Sequence, residues 1–159
     1  GYVDIGHEWA VMPSYFYREQ GLIPSSDAYR AVSRTVISQS SIQERMQFYL
    51  YCRQNGIWVK EIVGEEFKDY PILTAKYCPI HAISPGYPPT LLIHGDADTD
   101  VPVNETISLA KKLSEAGVSH SALILPGYGH AFDTEGVGIQ DALVSHAFET
   151  VIDFLKCYV

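Results

Sequence analysis

The sequence predicts an α/β fold built on a parallel sheet. Two short apolar runs, Thr90–Ile93 and Ser121–Leu125, have the continuous hydrophobic character of central strands covered on both faces. A helix-like segment, Glu105 to Ala116, separates them, and a second, Gln140 to Tyr158, follows. Strand, helix, strand, helix with short joints is the pattern of parallel pairing with crossover helices.

Each element has its own local reason. Asn104 is placed to cap the first of these helices, Ile107, Ala110 and Leu113 are spaced as its apolar stripe, and Gly117 stops it. Leu143, Ala147, Val151, Ile152 and Leu155 form the stripe expected of the last helix. Between residues 70 and 89 five prolines, Pro71, Pro79, Pro85, Pro88 and Pro89, forbid a long regular element and mark a connector. Upstream, residues 7–70 are rich in aromatics, among them Trp9, Tyr17, Tyr29, Phe48, Tyr49, Tyr51 and Trp58. Ser25 or Ser26 can cap a helix over Asp27–Ile37. Ser41-Ile-Gln-Glu44 is a capping box for a helix that carries Met46 and Leu50 on its apolar side and stops at Gly56. A weaker piece covers Ile57–Val63, and residues 1–6 read as the end of a strand.

Composition excludes several classes. With 47% hydrophobic and 19% charged residues the chain is globular rather than disordered. A net charge of −8 argues against nucleic acid or an anionic membrane as partner. No apolar run reaches the about 18 residues needed to span a bilayer. Cys52, Cys78 and Cys157 are odd in number and lack a C-x-x-C pair, which argues against a disulfide framework or a cysteine zinc site. Asp96, Asp98 and Asp100 suggest a calcium loop, but Val101 stands where its glycine belongs and Ile107 where its glutamate belongs. No metal and no cofactor are expected. No secretory signal is visible, which leans to an intracellular setting, although a start at Gly1 leaves the compartment open.

In an open α/β sheet chemistry gathers at the carboxyl ends of the strands. The loop His94-Gly-Asp-Ala-Asp-Thr-Asp-Val-Pro102 leaves the first strand there, and Gly127-Tyr-Gly-His130 leaves the second. An acid therefore precedes an imidazole, in the order that a Ser…Asp…His triad takes in one class of hydrolases. Position alone leaves Asp96, Asp98 and Asp100 all open as the acid. His94 reads as a residue that locks its loop by hydrogen bonding, and His7, His81, His120 and His146 as ordinary histidines.

The stretch from Thr90 to Phe132 resembles the C-terminal acid–histidine region of the α/β-hydrolase fold, in its esterase and prolyl-oligopeptidase-like branch. That branch carries H-G-x-x-D-x-x-V-P and G-x-G-H-x-F, matched by His94–Pro102 and by Gly127–Phe132. The resemblance implies that Asp98 is the acid and His130 the base of a serine hydrolase acting on esters or other acyl groups. It further implies that residues 7–70 are a cap over the site, with an apolar or aromatic ester as substrate, and that residues 71–159 are the C-terminal half of the core. The aromatics of the cap could equally serve only to pack its helices.

One part of the pattern departs. No serine sits in G-x-S-x-G, and Ser38, Ser40, Ser41 and Ser84 lack the strand-to-helix turn that such a serine requires. A full fold of this type takes about 250 or more residues. The expectation is a chain that is a piece of a larger hydrolase, or a subunit completed by a partner or a second copy. Two other readings stay open: an inactive hydrolase-like binding module, and an Asp–His acid–base enzyme such as an isomerase or cyclase that needs no serine.

Overall fold

The computed structural model describes residues 8–32, 39–64, 76–134, 136 and 138–158. They fall into two compact units, one within residues 5–74 and the other built on residues 75–159. The expected strand end at residues 1–6, the positions of the Asp27–Ile37 helix beyond Val32, and residues 70–75 of the connector lie outside the described residues.

The first unit is helical: α1 (Glu8–Val11), α2 (Tyr15–Glu19), α3 (Ser25–Ala28) with a 3-10 turn over Tyr29–Ala31, α4 (Ile42–Asn55) and α5 (Trp58–Val63). Pro24, extended at ψ 142°, caps α3, so Ser25 lies inside its first turn rather than capping it. The helix expected over Asp27–Ile37 ends early, because Val32 is already extended at ψ 125°. The capping box of α4 forms as expected. The Glu44 amide donates to Ser41 Oγ at 3.3 Å and the Ser41 amide to Glu44 Oε2 at 2.9 Å. Gly56 ends the helix at φ +67°, and a Cβ there would lie 2.8 Å from the backbone of Val11, Met12 and Pro13.

The buried side of α4 is not the apolar one expected. Met46 is exposed, and Cys52, Arg53 and Gln54 face inward. Gln54 explains its own burial by saturating its amide: Oε1 accepts from the Ile23 amide at 3.0 Å, and Nε2 donates to the carbonyls of Tyr17 at 2.9 Å and Gly21 at 2.8 Å. The Arg53 guanidinium lies over Trp9, Tyr17 and Tyr49, 5.2, 5.3 and 5.9 Å from their ring centres. Tyr29 meets Phe48 and Tyr51 edge-on, so much of the aromatic content packs against itself within this unit. Burial and the hydrogen bond to Glu61 push the Tyr29 phenol up to about 12, and burial with the Glu61 charge pushes the Cys52 thiol up to about 11.

The second unit holds the sheet. A one-turn helix, α6 (Pro79–Ala82), precedes β1 (Thr90–Gly95); α7 (Asn104–Glu115) crosses to β2 (His120–Leu125); a 3-10 turn at Gly138–Gln140 leads into α8 (Ala142–Tyr158). The two strands are parallel, in register from Thr90 beside His120 to Gly95 beside Leu125. Among the described residues β1 pairs with β2 alone, and its side chains are half-buried rather than covered on both faces as the sequence suggested.

Leu109, Leu113 and Val118 form the core beneath the strands, with Ile80, Ile83, Tyr87, Leu92 and Ala116 packed on them. The expected stripe of α7 was therefore misphased. Ile107 is 53% exposed, while Glu105, Thr106, Leu109 and Leu113 turn inward. Ile107 and Leu113 are six residues apart, which sets them about 120° apart around the axis and prevents a shared face. Asn104 is not the cap either: Val103 is already helical at φ −56°, which puts Asn104 at the first helical position. In α8, Val144 and Ala147 are buried, whereas Leu143, Ile152 and Leu155 of the expected stripe are exposed. None of the described helices is long and apolar enough to cross a membrane.

Candidate active site

Parallel pairing in this register ends β1 and β2 side by side at Gly95 and Leu125, so the loops that follow leave from one end of the sheet. Those loops are fastened to each other. The Gly127 amide donates to Asp96 Oδ1 at 2.6 Å, the Ala97 amide to the Tyr128 carbonyl at 2.9 Å, and the Asp96 amide to the Leu125 carbonyl at 3.1 Å. Gly95 allows this approach, since a Cβ there would lie 2.1 Å from the Tyr128 carbonyl oxygen.

Across this junction Asp98 and His130 meet. His130 Nδ1 lies 2.9 Å from Asp98 Oδ2. The other carboxylate oxygen, Oδ1, accepts from the amides of Asp100 at 2.7 Å and Val101 at 2.9 Å, which fixes the rotamer that aims Oδ2 at the ring. The Asp98 side chain is 6% exposed and that of His130 55% exposed. Burial works to raise the Asp98 carboxyl, but the Val101 amide, His130 and the Asp100 amide outweigh it and hold it below the usual carboxylate range. An ionised Asp98 can only accept, so the neutral His130 ring carries its proton on Nδ1 and leaves Nε2 with a lone pair. Nε2 has Asp100 Oδ2 at 3.6 Å.

The structure thus brings together Asp98 and His130, the two residues singled out in the sequence. Asp96, open as an alternative acid, is engaged in the loop-to-loop bond instead. Asp100 approaches the opposite nitrogen of the ring. His94 does hold its loop, with Nε2 at 2.9 Å from the Val101 carbonyl and Nδ1 at 2.6 Å from Thr106 Oγ1. Ala131, next to the base, takes φ +57°, a conformation rare for a residue with a Cβ. Ser84 lies in the loop between α6 and β1, where its carbonyl accepts from the Tyr87 amide.

Sequence reasoning missed three supports. Thr106 bonds His94. Tyr128 donates from its hydroxyl to Asp141 Oδ1 at 2.5 Å, and that same oxygen accepts from the Leu143 and Val144 amides at the start of α8. The Asp141 carboxyl is held below its usual range by the Tyr128 hydroxyl first and these amides second. Asp141 ahead of an apolar run is the signal that could have found it. A cavity of about 490 Å³ adjoins the pair, lined by Tyr87, Leu92, Leu109 and Phe132 along with Asp98 and His130. Among the described residues no group of three or more histidine, cysteine or carboxylate side chains is arranged to hold a metal ion.

The chain is 36% identical over 96 residues, 56% of its length but 4% of the other's, to the non-reducing polyketide synthase ausA of Emericella nidulans. A protein of unknown function from Staphylococcus aureus superposes over 99% of this chain and 53% of its own, with a TM-score of 0.76 and 22% identity. A truncated carbohydrate esterase from gut microbiota aligns with 52% of this chain and 26% of its own, at 30% identity and a TM-score of 0.43. The chain therefore spans about half the length of the S. aureus structure and a small part of the synthase. A profile of the prolyl oligopeptidase family matches residues 37–159. With parallel β1 and β2 and flanking helices among its described residues, the chain forms part of an α/β-hydrolase fold and belongs to the prolyl oligopeptidase family.

Proposed function

We propose that this chain supplies the acid and the base of a serine hydrolase that cleaves an ester or other acyl bond. The observation that carries this reading is the 2.9 Å contact of His130 Nδ1 with a buried, ionised Asp98, in a chain of a hydrolase family.

The chemistry follows from the geometry. Asp98 fixes the His130 tautomer and keeps the Nε2 lone pair available as a general base. That nitrogen takes the proton of a serine hydroxyl as the oxygen attacks the acyl carbon, then returns it to the leaving group. The serine is contributed from outside residues 1–159, because none of the serines here stands in a nucleophile elbow. Once the ring is protonated, carboxylates face both of its nitrogens, Asp98 at 2.9 Å and Asp100 at 3.6 Å, and both stabilise the charge.

The substrate we favour has an apolar or aromatic acyl group. The cavity beside His130 supports this, since Tyr87, Leu92, Leu109 and Phe132 make its walls largely hydrophobic. In this reading residues 7–70 are the cap segment of such a hydrolase.

Reaction of the intact protein with a fluorophosphonate probe tests the proposal. Covalent labelling of a serine outside residues 1–159, slowed by His130→Ala, is the expected result. Labelling of a serine within them would overturn the placement of the nucleophile, and labelling at an unchanged rate in His130→Ala would overturn the role of His130.

A further inference from the structure

The acid carries a second histidine on its other side. His94 Nε2 lies 3.3 Å from Asp98 Oδ2, the same oxygen that meets His130, and the His94 side chain is 11% exposed. We infer that His94, anchored by Thr106, is a positioning residue that holds Asp98 in the one rotamer able to set the His130 tautomer. This rests on the Asp98–His130 reading above and extends it to two residues outside the pair.

Hydrogen-bond logic assigns the protons. The Val101 carbonyl can only accept, so at 2.9 Å the His94 Nε2 must carry the hydrogen. Nδ1 of the neutral ring is then an acceptor, and the Thr106 hydroxyl at 2.6 Å donates to it. Thr106 is buried in the first turn of α7, so the ring is referred to a helix rather than to another loop.

From His94 the constraint passes through Val101. Its carbonyl is held by His94, and its amide donates at 2.9 Å to Asp98 Oδ1. The same nitrogen lies 3.3 Å from Oδ2, beside the carboxylate without a second hydrogen bond to it. One oxygen of Asp98 is thus fixed from the His94 ring through the Val101 backbone, and the other lies beside the same ring. Without His94 the Asp98–Val101 turn loses its tie to α7, the carboxylate can rotate, and the contact to His130 Nδ1 is no longer enforced. The two imidazoles near Asp98 Oδ2 have separate tasks: His130 is exposed and faces the reaction, while His94 is half-buried and held by the scaffold.

The test is the ring tautomer of His130 in the full chain, read by long-range proton–nitrogen NMR at a pH where the ring is neutral. Parent protein is expected to show the Nδ1–H form. Asp98→Asn should lose it, His94→Ala should shift the ring toward the Nε2–H form, and Thr106→Val should shift it the same way by less. His94→Gln should restore the Nδ1–H form, since its terminal amide can still donate to the Val101 carbonyl. A His94→Ala protein that keeps the parent tautomer, while Asp98→Asn loses it, overturns the inference and leaves the Asp98–His130 pair standing. If Asp98→Asn also keeps the parent tautomer, the pair itself fails and the inference with it. Should His94→Ala not fold, Thr106→Val decides alone, and an unchanged tautomer there overturns the inference.

Discussion

At Asp98 burial and hydrogen bonding pull in opposite directions. Burial favours the protonated acid, while the Val101 amide, His130 and the Asp100 amide favour the carboxylate and prevail. A carboxyl held below its unfolded value of about 3.9 contributes stability that is present above that pH and is lost as pH falls through the folded value. Asp98→Asn is therefore expected to lose less stability than the parent between about pH 5 and pH 2. Melting temperatures across that range check this, and parallel curves for the two proteins would contradict it. Next to the base, Ala131 sits at φ +57°, where a glycine would be free of strain; Ala131→Gly should stabilise by roughly 1 kcal/mol in urea titrations. Asp98 and His130 were legible because a loop motif fixes their spacing from the strands. The roles of Asp96, Thr106 and Asp141 were not, since each depends on a partner that the sequence places elsewhere: Gly127, His94 and Tyr128.

At the scale of elements, local chemistry was readable and facing was not. The Ser41–Glu44 capping box, the left-handed Gly56 and the strand–helix–strand order all follow from short-range rules. The phase of α7 does not. Its inward face includes Glu105 and Thr106, which hydropathy assigns to solvent, and leaves Ile107 outside. The α4 helix errs the same way, because Arg53 and Gln54 are buried through aromatic faces and backbone carbonyls rather than through apolarity. The approach of the loops after β1 and β2 depends on Gly95, whose missing Cβ leaves room for the Tyr128 carbonyl. Gly95→Ala should force the loops apart and destabilise by about 3 kcal/mol. Equilibrium unfolding measures the loss, and a change below about 0.5 kcal/mol would mean the junction is looser than described.

At the scale of the whole molecule, the described residues leave two surfaces open. Among the described residues β1 has β2 on one side only, and an unpaired strand edge readily pairs with another chain. On α8, Phe148, Ile152 and Leu155 form an exposed apolar row at helical spacing. The chain spans 53% of the S. aureus structure of the same fold, and we expect the remainder of such a fold to cover these surfaces. The isolated chain of residues 1–159 should then associate in solution. Light scattering that shows a monodisperse monomer with a cooperative melt would contradict this. The central claim, that Asp98 and His130 work as acid and base on an acyl bond, is tested most directly by hydrolysis of p-nitrophenyl acetate by the intact protein. If it is correct, His130→Ala and Asp98→Asn each lower kcat/KM by roughly 10³–10⁴-fold without loss of fold. Parent-like turnover in a folded His130→Ala protein would contradict it.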